Sequence, residues 1–246
     1  TWLALSPSGD RISVAGKGPG EGLHFDTGKR AGWGKEGRAG ARHESQRRPQ
    51  GAPLGAPKGR PRLEIIPLGG FSEVGRRDLE EEIVDTANRH GASILGPNIV
   101  GVLSNSIGMN ASFAPYLPLA GKASLISQSG ALGSAILGWA TQNNIGFSHF
   151  ISVGTMVDLD FADLLDYLGG EISARSILIY MEGMTSPRRF MSAARAVSRI
   201  KPIIISKSGR SEAGARAAAS HTGAMAGHES AYNAAFRRAG VIRAET

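Results

Sequence analysis

The chain has 246 residues, 41% of them apolar, with 34 glycines and no cysteine, which excludes a disulfide framework, thiolate chemistry and a Cys-ligated metal site. No apolar run reaches about 18 residues and no basic stretch leads into an apolar one at the N-terminus, so neither a membrane span nor a signal peptide is expected. The formal net charge of +7 sits wholly in residues 1–62, which hold 12 Lys/Arg and 5 Asp/Glu against 16 of each in the remainder, so the folded part is charge-balanced and a nucleic-acid partner is not expected.

Residues 1–62 also hold 13 of the 34 glycines and 6 of the 12 prolines. No helical or strand period persists there, and such a stretch buries too little apolar surface to offset its ordering entropy. It reads as a disordered basic leader. From Leu63 the pattern turns regular. Leu63–Leu68 is a short apolar strand. Arg76–His90 is a helix with Leu79, Ile83 and Ala87 on one face and Gly91 as its stop. Ser93–Leu95 is a second strand, ending in Gly96-Pro97-Asn98. Residues 103–120 read as a connector, because Pro115 and Pro118 block a regular element. Then strands and helices alternate: strand Ala123–Ser127, helix Gly130–Thr141, strand Gly146–Val153, helix Asp160–Leu168, strand Ser176–Met181, helix Pro187–Ile200, strand Pro202–Ser206, helix Glu229–Ala239, and a last strand opening at Val241. This alternation predicts an α/β fold, a parallel sheet with helices on both faces. Ligands of such sheets sit at the carboxyl ends of the strands.

Three of those strand ends carry candidate chemistry. Ser127-Gln128-Ser129-Gly130 follows a strand and opens a helix. Its hydroxyls, glycine and free helix N–H groups suit an anion, and a serine N-cap with a packing glycine explains the same residues. Glu182 follows the strand ending at Met181; a carboxylate there could orient an imidazole, or simply face solvent. The long small-residue loop from Lys207 leads to Ser220-His221-Thr222-Gly223. A histidine on such a loop beside anion-binding N–H groups could attack phosphorus, whereas without a neighbouring site it is a surface histidine. Asp158 and Asp160 read as helix-capping acids. No pair of histidines has metal-ligand spacing such as H-E-x-x-H, so no metal site is expected.

Several segments together carry a resemblance: Gly96-Pro97-Asn98, Gly108-Met109-Asn110-Ala111-Ser112-Phe113, Ile126-Ser127-Gln128-Ser129-Gly130-Ala131-Leu132, Asp163-Leu164-Leu165-Asp166-Tyr167-Leu168, Lys207-Ser208-Gly209-Arg210 and Ser220-His221-Thr222-Gly223-Ala224-Met225-Ala226-Gly227. From Leu63 onward the chain resembles the NDP-forming acyl-CoA synthetases, namely the succinyl-CoA synthetase α type and the ADP-forming acetyl-CoA synthetases, including bacterial fusions with a GNAT acetyltransferase. The resemblance implies a flavodoxin-like domain over 121–246, preceded over 63–120 by a truncated CoA-binding Rossmann remnant and connector. It implies a cytoplasmic acid–thiol ligase that interconverts acyl-CoA, ADP and phosphate with acid, CoA and ATP, through acyl phosphate and a phosphohistidine at His221. Glu182 would steady that phosphohistidine. Ser127, Ser129, Gly130, Thr222 and Gly223 would bind phosphate, and Gly96, Pro97 and Asn98 would meet CoA. ADP or ATP with Mg2+ would sit on a partner ATP-grasp subunit or domain. The chain departs from the family pattern in carrying Ile99 where Cys is frequent and Gly154-Thr155 where Gly-Asn is frequent. The alternative implied by the fusions is a non-catalytic acyl-CoA sensor within a lysine acetyltransferase, which the retained histidine argues against.

Overall fold

The computed structural model describes residues 75–209 and 229–244, together with Phe71 and the strands at 2–5, 11–15, 22–26 and 62–65. Two sheets result. The smaller has five strands in the order β3-β2-β1-β4-β5. Its members are β1 (Trp2–Leu5), β2 (Arg11–Ala15), β3 (Gly22–Asp26), β4 (Arg62–Ile65) and β5 (Ala92–Leu95). β4 and β5 are parallel, joined through helix α1 (Arg77–Arg89), while β1 pairs antiparallel with both β2 and β4. The expectation of no regular structure in residues 1–62 therefore meets three short strands. Each has only four or five residues, so its alternation (Leu3 and Leu5, Ile12 and Val14, Leu23 and Phe25) is too brief to register as a period. Ala87 of α1, Ala92 and Ile94 form a small core, with Ile83, Val84 and Val157 packed against it.

The larger sheet has seven strands in the order β12-β11-β10-β8-β9-β6-β7. They are β6 (Gly101–Ser104), β7 (Met109–Ser112), β8 (Leu119–Ser127), β9 (Gly146–Ser152), β10 (Ser176–Met181), β11 (Ile203–Lys207) and β12 (Ile242–Arg243). β9-β8-β10-β11-β12 are parallel neighbours. In chain order that is the 2-1-3-4-5 arrangement of flavodoxin-like sheets, whose winding reverses between β8 and β10. The helices between them are α2 (Gly130–Gln142), α3 (Phe161–Gly170), α4 (Pro187–Val197) and α5 (Glu229–Ala239).

The sheet is mixed rather than all-parallel, because β6 runs antiparallel to β9 and β7 antiparallel to β6. These two strands lie in the stretch read as a connector. The prolines are real breaks, but they fall after the hairpin, and Asn105–Gly108 supplies the turn. Residues 101–112 thus pair with the second sheet, while Val102 and Ala111 share a core cluster with Ile65 and Leu95 of the first.

Alternation along β10 explains the layering. Ile177, Ile179 and Met181 are buried with Ile203 and Ile205 of β11 against α3, α4 and α5, in one cluster that includes Leu165, Phe190 and Phe236. The opposite face holds Leu125, Phe147 and Phe150 against Leu137 and Ala140 of α2. A register shift at Ser148 lets Phe147 and Phe150 share a face while His149 turns to the other, edge-on to Tyr167 of α3. Asp160 caps α3: its carboxylate accepts from Ala162 N–H at 2.8 Å, and Asp163 returns the bond to Asp160 N–H at 3.0 Å. Such a capping box is worth about 1 kcal/mol. Arg189 of α4 bridges both acids, at 3.2 and 2.5 Å.

Candidate functional site

The reversal of winding opens a crevice at the carboxyl ends of β8 and β10. Four described segments meet along this edge: the 96–100 loop, the β8–α2 turn, the loop after β9, and the residues after β10.

The β8–α2 turn is held by its own hydroxyls. Ser127 is fully buried, and its Oγ donates to Ser129 carbonyl at 2.6 Å. Ser129 is the N-cap of α2, its Oγ accepting from Leu132 N–H at 3.3 Å. Both serines therefore shape the turn. The N–H groups of Gly130 and Ala131 have no hydrogen-bond partner among the described residues and lie at the positive end of the helix, where an anion is favoured. Gly130 is required by packing, since a Cβ there would lie 2.8 Å from Val100 Cγ2.

Gln128 continues the β8–β10 ladder past its last residue pair, Ser127 with Tyr180. Its backbone N–H donates to Tyr180 carbonyl at 3.1 Å. Its side-chain Oε1 accepts from Glu182 N–H at 2.8 Å and Gly183 N–H at 3.0 Å. Glu182 is half-buried and Gly183 buried. Burial raises the pKa of the neighbouring Tyr180 phenol, and the Glu182 charge adds to that rise; the phenol stays neutral at physiological pH. Sequence reading gave Gln128 no role of its own, and the only signal for one was a long polar side chain placed between two turn serines at a strand end.

Gly96, Pro97 and Asn98 belong to the same edge. The loop after β9 runs alongside them as a short zipper: Leu159 N–H to Ile94 carbonyl at 3.1 Å, Val157 N–H to Gly96 carbonyl at 3.1 Å, and Thr155 N–H to Pro97 carbonyl at 3.0 Å. Asp158 closes it by accepting from Ile94 N–H at 2.7 Å. Asp158 thus ties the two sheets together, while Asp160 is the helix cap. Gly154 has φ +54, and a Cβ there would sit 2.0 Å from Pro97 carbonyl oxygen; only glycine allows the loops to touch. Ser152 Oγ accepts from Val100 N–H at 3.1 Å, bringing the loop on toward the α2 start.

On the far side of the crevice, β11 brings Lys207 level with Met181, and Ser208 N–H donates to Met181 carbonyl at 2.9 Å. Lys207 Nζ lies 4.9 Å over the Tyr232 ring and donates to Ser208 carbonyl at 2.7 Å. His221, Thr222 and Gly223 lie outside the described residues. The described chain stops at Gly209, two residues past the end of β11, and resumes at Glu229, the first residue of α5. Among the described residues no group of three or more His, Asp or Glu is placed to hold a metal ion, and no helix is long and apolar enough to cross a membrane.

The chain resembles known proteins. Residues 120–246 fit the model of the succinyl-CoA ligase like flavodoxin domain. The chain belongs to that family. It is 49% identical over 188 residues to the acetate–CoA ligase (ADP-forming) I α subunit of Pyrococcus furiosus, a match covering 75% of this chain and 41% of the subunit. It is 44% identical over 184 residues to acetate–CoA ligase (ADP-forming) I of Archaeoglobus fulgidus, covering 74% of this chain and 27% of that protein. Among solved structures, the dinucleotide-forming acetyl-coenzyme A synthetase 1 of Ca. Korarchaeum cryptofilum, in complex with phosphate and ADP, superposes with a TM-score of 0.71 at 46% identity. That match covers 74% of this chain and 40% of the synthetase. The chain thus spans about two fifths, or less, of the length of these relatives. The succinyl-CoA ligase like domain accounts for the parallel part of the larger sheet, and the matches to the whole synthetases extend it toward β4 and β5.

Proposed function

We propose that this chain is the phosphoryl-relay part of an ADP-forming acyl-CoA synthetase, with His221 as the relay. The observation that carries the reading is the convergence of the Gly96–Asn98 loop, the unpartnered N–H groups at the α2 start and Glu182 on one sheet edge, beside the two ends of the His221 segment.

In the acyl-CoA-consuming direction, phosphate held at Gly130 and Ala131 attacks the thioester carbonyl of an acyl-CoA lying along Gly96–Asn98. The C–S bond breaks, CoA thiolate leaves, and acyl phosphate remains. The unprotonated imidazole nitrogen of His221 then attacks phosphorus. The N–P bond forms, the P–O bond breaks, and the carboxylic acid departs as its anion. Glu182 accepts a hydrogen bond from the other ring N–H and so stabilises the cationic phosphoimidazole. The helix N-terminus and the glycine N–H groups neutralise the equatorial oxygens in transit. Thr222 and Gly223 supply further donors. The loop next carries the group to ADP on an ATP-grasp partner, where the N–P bond breaks and a β-phosphate oxygen takes the phosphoryl group. Mg2+ belongs to that partner site, where it would offset phosphate charge.

The test is phosphorylation of the chain by [32P]acetyl phosphate, with the label characterised as acid-labile and alkali-stable. The parent incorporates label, and His221→Ala loses at least about 100-fold, as expected when the nucleophile itself is removed. Undiminished label in His221→Ala overturns the proposal.

A further inference from the structure

The two hydrogen bonds to Gln128 Oε1 have a consequence for Glu182. Parallel strands normally end together, with backbone carbonyls on one strand satisfying backbone N–H groups on the next. Here the main chain of β8 turns away after Ser127 to enter α2, while the chain beyond β10 continues past Met181 through Glu182 and Gly183. The N–H groups of Glu182 and Gly183 would lose their partners at that point. The side-chain oxygen of Gln128 takes both, at 2.8 and 3.0 Å, and acts as a detached rung of the ladder. Two N–H donors converging on one atom also fix which end of the amide faces β10, since only the oxygen can accept. Gln128 is itself 9% exposed, with its backbone tied to Tyr180 carbonyl, so the rung has little freedom.

We infer that Gln128 is the positioning residue for the Glu182 carboxylate: it sets the backbone from which that carboxylate reaches the relay imidazole. This rests on the phosphohistidine reading above. A misplacement of about 1 Å at such a group costs on the order of 100-fold in rate, and a methylene-rich side chain at 128 leaves the 182–183 backbone unanchored.

The experiment is a double-mutant cycle on the rate of labelling by [32P]acetyl phosphate, with folding of each variant checked by thermal denaturation. Gln128→Met, similar in size but without the acceptor, lowers the rate by about 10- to 100-fold. Glu182→Gln lowers it as well. Because Gln128 acts through Glu182, the double variant is no slower than the slower single within about 2-fold, a non-additivity that a general structural defect does not produce. Gln128→Met also moves the pH dependence of labelling toward that of Glu182→Gln. Gln128→Asn, too short to reach both donors, serves as the second variant should the methionine form not fold, with the same expected coupling. Multiplicative losses in the cycle, or an unchanged rate in Gln128→Met, overturn the inference while leaving the relay intact; absence of label in the parent overturns the relay itself.

Discussion

The two faces of the larger sheet are packed by different means. Against α3, α4 and α5, large side chains interdigitate: Ile177, Ile179, Met181, Ile203 and Ile205 are each at most 2% exposed, and Phe190 meets Phe236 edge-on at 6.2 Å. Against α2, Leu137 and Ala140 pack on Leu125, Phe147 and Phe150, and glycines let the helix come close. A Cβ on Gly133 would lie 2.8 Å from the Phe150 ring, and one on Gly138 would lie 2.8 Å from the Tyr116 ring. The same glycine-poor crowding that stabilises the first face would push α2 off the second. In the proposed function the α2 backbone N–H groups meet phosphate, and Gly133 lets the helix sit close to the sheet beneath that site.

Phe190→Ala breaks the first face most severely. Removing a fully buried phenyl ring from it lowers stability by about 3–5 kcal/mol, measured as a fall in the urea midpoint with little change in slope. Gly133→Ala tests the second face. Helix propensity favours alanine by about 0.5–1 kcal/mol, but overpacking against Phe150 costs about 1–3 kcal/mol, so net destabilisation by the same measurement is expected. A gain in stability would show that α2 is loosely seated.

The smallest effect concerns His149, a polar residue on the apolar α3 side. It is 2% exposed, its Nε2 has no hydrogen-bond partner among the described residues, and Ser124 Oγ lies 3.5 Å from Nδ1. Burial lowers its pKa, the Glu171 charge opposes that, and Lys201 reinforces it. An unfolded chain takes up a proton near the usual imidazole pKa of about 6.5, whereas the folded chain does not until a lower pH. The stability His149 allows is therefore complete above about pH 6.5 and declines as pH falls below it. The melting temperature of the parent should drop more between about pH 7.5 and 5.5 than that of His149→Gln, across the titration range of a free imidazole. Parallel profiles would show that this imidazole titrates normally.

Much of this arrangement is legible in the chain itself. The alternation in Ile177–Met181, the apolar face of Phe190, Ala194 and Val197, and the capping acid at Asp160 each reflect local periodicity or local hydrogen bonding, which depend on neighbours in sequence. The β6–β7 hairpin escaped because two four-residue strands carry too few positions to show a period, and the prolines beyond them dominate the composition. The three strands within residues 1–62 escaped for the same reason.

The candidate site divides along the same line. Ser127-Gln128-Ser129-Gly130, Glu182 and His221 are marked out by residue type and by their place after strands, and sequence similarity alone assigns the family. Which hydroxyls cap and which N–H groups stay open, the meeting of Gly154 with Pro97, and the bond from Gln128 to the Glu182–Gly183 backbone were decided by tertiary structure. The last two of these join residues 54 or more positions apart in the chain. They depend on the order in which strands lie in the sheet, and no local pattern encodes that order.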